Sequence, residues 1–397
     1  MSWETFELGD LAESVAYGLS ESASETEHGQ KFLRITDIQG GVVDWDSVPW
    51  CNAKGPAAIE ARLRPGDIVF ARTGATTGKS YLIRDCPKHA VFASYLIRVR
   101  FDHSVVPGFI YHYFQTPDYW AQISKGARGV AQPGVNASTL KGLRIPLPPL
   151  PEQLRLTSVL DQADALRAQR RAAIADVDTL TQAIFLDLFG DPASVSWPFV
   201  SLHEVVNVES GGIRTGPFGS QLLHSEFVAA GIAVLGIDNV VGNSFRWDQR
   251  RYITEAKFQE LKRFTVFPGD VLISIMGTCG RCAIVPEGIG RAINTKHLCC
   301  ISLKRDICLP EFLRAYFLLH PLALRHLGQA AKGAVMPGLN MGIIKSMPLL
   351  LPPLSLQQEF ARRVAAVEKL KAAHQASLAE LDALFASLQH RAFRGEL

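Results

Sequence analysis

The sequence predicts an α+β chain in which two similar mixed α/β heads are separated by a long antiparallel two-helix coiled coil with approximate two-fold symmetry. Three observations predict it: one ordered set of residues occurs twice, each copy ends in a long segment of helical texture, and the strands lack regular βαβ spacing. The first copy reads Trp3, Leu8, Pro65-Gly66-Asp67, Phe109, Tyr113-Phe114, Pro133-Gly134-Val135-Asn136, Lys141 and Pro148-Pro149. The second reads Trp197, Leu202, Pro268-Gly269-Asp270, Phe312, Tyr316-Phe317, Pro337-Gly338-Leu339-Asn340, Lys345 and Pro352-Pro353. The offset between copies is 194 at the tryptophans, 203 at the Pro-Gly-Asp turns and 204 from the Pro-Gly-x-Asn turns onward, so the copies differ mainly by insertions. A repeated unit of this length is a whole domain copied, which suits two related targets. The boundaries follow: a first head over residues 1–150, a central helix over 151–190, a second head over 191–354 and a C-terminal helix over 355–397.

Within each head a Pro-Gly-Asp turn precedes an apolar, partly β-branched run, Ile68-Val69-Phe70-Ala71 and Val271-Leu272-Ile273-Ser274, each predicted to be a buried strand closed by a glycine-bearing loop. Further strands are predicted over 95–100 and 298–304. Thr254 is positioned to cap a helix over 255–262. Pro107 and Pro310 stand where helices carrying Tyr113-Phe114 and Tyr316-Phe317 can begin. Lys141 and Lys345 are expected in the last turns of short helices, a structural position.

After the proline pairs the texture changes. From Glu152 to Phe189 there is neither Pro nor Gly, and apolar residues recur at Leu156, Leu160, Ala163, Leu166, Ile174, Val177, Leu180 and Ile184. The same offset gives Phe360, Val364, Val367, Leu370, Leu378, Leu381, Leu384 and Leu388. Gaps of three and four describe one apolar stripe, and 38 helical positions extend roughly 57 Å. A stripe that long exceeds what a small head can cover, so the other helix is its expected partner. An antiparallel pair would carry the heads at opposite ends, an arrangement suited to a long ligand with two-fold character, of which duplex DNA is the commonest.

Composition bounds the class. The chain of 397 residues, 47% hydrophobic, can bury sizeable cores. MSWETFELGD lacks the basic start and apolar stretch of a secretory signal, and no apolar run approaches a membrane span, so a cytoplasmic protein without membrane contact is expected. Seven cysteines without an export signal point to reduced thiols. The net charge of +3 is unevenly placed: residues 1–150 hold 15 basic and 15 acidic side chains, whereas residues 191–354 hold 16 and 12. That balance is weak for binding by phosphate contacts alone and points to local basic clusters or shared binding with partners.

The ordered marks resemble those of the specificity subunits of type I restriction-modification systems. The resemblance covers almost the whole chain and is carried by Gly216-Pro217-Phe218-Gly219-Ser220-Gln221-Leu222, Pro268-Gly269-Asp270-Val271-Leu272-Ile273-Ser274, the Leu-Pro-Pro-Leu runs at 147–150 and 351–354, Gln153, Gln357 and the terminal Phe393-Arg394-Gly395-Glu396-Leu397. It implies two target-recognition domains, each reading one half of a split, asymmetric double-stranded DNA site, with the helices setting the unread gap. It implies docking of two adenine methyltransferase subunits, with a restriction subunit able to join. The chain itself would then be non-catalytic and without a cofactor, S-adenosylmethionine and ATP with Mg belonging to the partners. The first head departs from the pattern: Tyr17-Gly18-Leu19-Ser20 is its nearest stretch to 216–222. A coiled-coil adaptor that assembles proteins without reading DNA is the alternative.

Other motifs carry less. Gly74-Ala75-Thr76-Thr77-Gly78-Lys79-Ser80 has three residues between its glycines where a phosphate-wrapping loop needs four, so no ATPase is predicted. Cys279 and Cys282 form a C-x-x-C pair, but adjacent Cys299-Cys300 rarely complete a tetrahedron, and buried thiols are favoured over zinc. Asp238 with Glu255 and Lys257 is read as ordinary solvated charge, not a nuclease cluster. The candidate DNA contacts are polar residues in loops after strands: Arg72, Lys79, Lys125, Arg128, Gln132 and Asn136 in the first copy, and Arg214, Gln221, Arg281, Lys296, Lys332 and Asn340 in the second. Arg and Lys pair with guanine edges or phosphates, and Asn and Gln with adenine.

Overall fold

The computed structural model describes residues 3–126, 134–190, 196–247, 250–331 and 339–397. The chain divides into two compact units, residues 1–172 with 375–397 and residues 173–374. Each unit therefore takes a head together with part of both long helices, a division that differs from the four consecutive segments expected. The reason is packing: the long helices contribute side chains to the core of each head.

In the first unit, β1 (Ala12–Tyr17), β2 (Gln30–Leu33), β3 (Ile68–Ala71), β4 (Ser80–Leu82), β5 (Ala90–Phe92) and β6 (Leu96–Phe101) form the framework. An antiparallel sheet has the order β1-β6-β3-β4, and a second sheet joins Trp50–Cys51, β2 and β5, with β2 and β5 parallel. In the second unit, β7 (Ile213–Thr215), β8 (Ile232–Leu235), β9 (Val271–Ser274), β10 (Cys282–Ile284), β11 (Ala292–Asn294) and β12 (Leu298–Ile301) repeat that plan. Their sheet runs β7-β12-β9-β10, and β8 and β11 form the parallel pair beside Tyr252–Ile253. Two heads of one topology are the physical content of the duplication read from the marks.

The repeated marks hold the heads together. Asp67 and Asp270 each close their turn by accepting a backbone N–H three residues back, from Arg64 at 2.8 Å and Phe267 at 2.9 Å. Each also pairs with an arginine of the sheet, Arg100 at 2.7 Å and Arg214 at 2.8 Å. The arginines come from different strands. Arg214 on β7 faces the small Cys300 on β12, whereas the corresponding cross-strand pair on β1 and β6 sets Ala16 against Arg98. The hydroxyls of Tyr113 and Tyr316 donate to the carbonyls of Arg144 at 2.9 Å and Pro348 at 2.8 Å. The proline-started helices Pro107–Tyr113 and Pro310–Leu319 form as expected, as does Glu255–Leu261 with its cap at Thr254.

Two long helices, α1 (Leu150–Phe189) and α2 (Leu354–Arg394), begin at the Leu-Pro-Pro-Leu runs. The buried Gln153 accepts from Val106 N–H at 2.8 Å and donates to the Pro148 carbonyl at 2.9 Å. Gln357 repeats this with Leu309 N–H at 2.8 Å and the Pro352 carbonyl at 2.9 Å, so each glutamine pins a helix start to its head. Within the first unit α1 and α2 run antiparallel: Arg155 donates to the Leu397 carbonyl and Arg167 pairs with Asp382 at 2.6 Å. Within the second unit Phe185 packs on Phe360, and Lys371 pairs with Asp178. Equivalent aromatic contacts seat each head, Phe109 on Phe393 at 4.9 Å and Phe312 on Phe189 at 5.1 Å.

The expected apolar stripe is only partly buried. Leu156, Leu160, Ala163, Val177, Phe360 and Val364 lie in the cores, but Leu166, Leu180, Leu370 and Leu384 are exposed. Arg167, bonded to Asp164 and Asp382 and lying over Phe385, occupies the seam that Leu166 was expected to fill. No described helix is long and apolar enough to cross a membrane.

Candidate nucleic-acid interface

In both heads the loops after β1 and β7 meet the turns after β5 and β11 at a corner. Chain entry there depends on a glycine: a Cβ on Gly18 would sit 2.3 Å from the Ala93 carbonyl oxygen, and one on Gly216 would sit 1.9 Å from that of Asn294. The first head's departure from the 216–222 pattern is thus confined to the neighbouring residues, because the required glycine is present. Leu19 N–H bonds the Phe92 carbonyl, and Ser94 N–H the Leu19 carbonyl. Hairpin tips join the corner through one equivalent backbone bond in each head, Arg72 N–H to Tyr95 and Ile275 N–H to His297, both 2.9 Å.

The first head's corner is aromatic. Arg72 is exposed and lies 5.1 Å from the centre of the Tyr17 ring, whose hydroxyl accepts from Ala137 N–H at 3.0 Å. Tyr95 is 62% exposed beside it. The second head's corner is polar. Lys296, His297, Asp238, Arg251 and His224 line a cleft of about 370 Å³. Burial, Lys296 and Arg251 hold the His297 imidazole below its ordinary value. The arrangement offers charged and hydrogen-bonding side chains on loops braced by rigid sheet, which suits recognition of a polyanion better than bond-breaking chemistry.

A family model described as type I restriction modification DNA specificity domain matches residues 1–176 and 195–383. The chain belongs to that family. Its members are the non-catalytic targeting subunits of these systems. The chain is similar to the EcoBI specificity subunit of Escherichia coli, 26% identical over 322 residues, covering 73% of this chain and 65% of the relative. It is 24% identical over 392 residues to the putative MjaX specificity subunit of Methanocaldococcus jannaschii, covering 93% and 87%. The fold is that of the type I system S subunit from M. genitalium, at TM-score 0.60 and 15% identity, covering 98% and 96%.

The candidate contacts of this specificity chain fall into three groups. Arg72, Lys79, Lys125 and Arg281 are exposed on loops or a helix end, and Lys296 is half-buried in the cleft. Arg214 is corrected: with its side chain 10% exposed and bonded to Asp270 and Ser302, it is a core ion pair and no loop contact. Asn136, Asn340 and Gln221 carry local structure through their side-chain oxygens. Asn136 and Asn340 cap Ala137–Lys141 and Met341–Lys345, accepting from Thr139 at 2.8 Å and Ile343 at 3.0 Å, while Gln221 accepts from Phe218 N–H at 3.0 Å. Lys141 and Lys345 stand in the last turns of those short helices. Arg128, Gln132 and Lys332 lie outside the described residues.

The motifs set aside earlier meet ordinary partners within the fold. Residues 74–79 make the turn between β3 and β4, with Thr77 N–H bonded to the Gly74 carbonyl. Burial pushes the Cys282 and Cys299 thiols up to about 12. Asp238 pairs with Arg251, Glu255 with Arg291, and Lys257 with Glu226 and Glu260. Tyr17, Tyr95, Phe218 and Met276 are also exposed, and a search for charge passes over aromatic and thioether side chains. Tyr17 and Phe218 flank the corner glycines Gly18 and Gly216 in sequence.

Proposed function

We propose that this chain is the sequence-specific double-stranded DNA-binding subunit of a type I restriction-modification complex, reading a bipartite asymmetric site with one half assigned to each head. It acts in the cytoplasm, docks two methyltransferase subunits and accepts restriction subunits through that assembly. The helices α1 and α2 set the unread gap. S-adenosylmethionine, ATP and Mg serve the partner subunits, which flip the target adenine to reach it. One observation carries the reading: a single topology occurs twice with unlike side chains at the equivalent corner, as two different half-sites require.

Competition binding with the methyltransferase-bound complex tests it. One duplex containing a split site should outcompete unrelated duplexes, and the affinity should fall with salt. Equal binding of all duplexes, or none, would leave the coiled-coil adaptor as the better account.

A further inference from the structure

We infer that the cleft at the carboxyl ends of β8 and β11 is the second head's base-reading element, with Asp238 and Lys296 reading one G·C pair of its half-site. The inference rests on the proposed DNA-binding role and deepens it.

Placement comes first. The two parallel pairs among the described strands are β2 with β5 and β8 with β11. Where neighbouring parallel strands end together their loops diverge, which opens a crevice at their carboxyl ends. Both heads have it there: about 520 Å³ beside Arg34 to Thr36 and Ala93 to Tyr95, and about 370 Å³ beside Gly236 to Asp238 and Thr295 to His297. Thr36 and Ser94 in one head stand where Asp238 and Lys296 stand in the other. A constant scaffold with exchanged side chains is what one fold needs to read two sequences.

The chemistry favours a base edge. A carboxylate accepts from cytosine N4, and a lysine ammonium donates to guanine O6 or N7, so Asp238 and Lys296 together complement one G·C pair in the major groove. The side chains of Arg251 and Asp238 are 33% and 28% exposed, so the paired carboxylate is open to a ligand entering the cleft. Arg251 bonds Asp238 and holds the carboxylate at the cleft. The first head presents Tyr95 at the position of His297, which suits apolar contact with a thymine methyl instead.

The experiment uses the chain assembled with its methyltransferase and a duplex library varied at every base pair of both half-sites. Asp238→Asn and Lys296→Ala are compared with wild type; the second leaves the Asp238 to Arg251 bond in place and guards against misfolding. Each should lose discrimination at one and the same G·C pair by roughly 5- to 150-fold, with the other half-site and the salt slope unchanged. An even loss over all sequences with a salt slope shallower by about 0.9 would show a phosphate contact and overturn the inference, as would unchanged discrimination with Lys296→Ala. A wild-type complex without any sequence preference would instead overturn the DNA-binding role itself.

Discussion

Replacing Arg214 by alanine separates a structural arginine from a DNA contact. The guanidinium donates to Asp270 at 2.8 Å and to Ser302 Oγ at 2.9 Å, and the ion pair's side chains are 10% and 5% exposed. Removing one partner of a buried pair leaves the other charge uncompensated and costs about 3–5 kcal/mol. The carboxylate keeps Phe267 N–H and the Cys300 thiol as donors, which places the expected loss toward the lower end. For a unit of this size each kcal/mol lowers the melting temperature by roughly 2–4 °C, so a drop of about 6–12 °C is expected. Because the chain holds two units, hydrogen exchange at the β9 and β12 amides should accompany the melting curve and locate the loss in the second unit. The salt dependence of DNA binding, measured well below the new melting temperature, should not change. An unaltered melting temperature together with a salt slope shallower by about 0.9 would refute this account and return Arg214 to the DNA surface.

Arg281→Ala, at an exposed hairpin end, should weaken binding to one half-site and leave the other's preference intact, read by competition with duplexes altered in each half; equal effects on both halves would contradict the assignment of one half per head. Gln357→Leu leaves Leu309 N–H without its acceptor and should destabilise the second unit by about 1–3 kcal/mol, seen as faster exchange of that amide. Hydrogen bonding from His112, then Arg84, holds the Asp161 carboxyl down to about 2 from 3.8. With the folded value below the unfolded one, Asp161 stabilises the first unit above about pH 4, and that contribution is lost as pH falls toward 2. Acid unfolding of Asp161→Asn should accordingly be less steep over that window, and identical wild-type and variant slopes would exclude the effect.

Much of the fold was legible because the marks are local devices repeated intact. Pro-Gly-Asp closes a turn with its own aspartate, and the proline pairs start the long helices next to a pinning glutamine. Partners distant in sequence were not legible. Arg214 looks like any loop arginine until Asp270, 56 residues later, folds beneath it. Gly18 and Gly216 are equivalent because each passes a backbone carbonyl from a later strand, a requirement their unlike neighbours hide. Asn136 was ambiguous for a different reason: an asparagine before a short helix serves equally as a cap or as an adenine reader, and only the bond to Thr139 shows which its oxygen does. The stripe on α1 was displaced at Leu166 because Arg167 can fill an apolar seam with its stem while its head pairs with Asp382.

The most direct test is sequencing of adenine methylation in cells with and without this chain, the methyltransferase partner being present in both. The account predicts that one motif of two unlike halves around an unread gap disappears with the chain, and that exchanging residues 191–354 for another family member's second head changes only one half. Loss of a single uninterrupted motif, or methylation that persists unchanged, would contradict it.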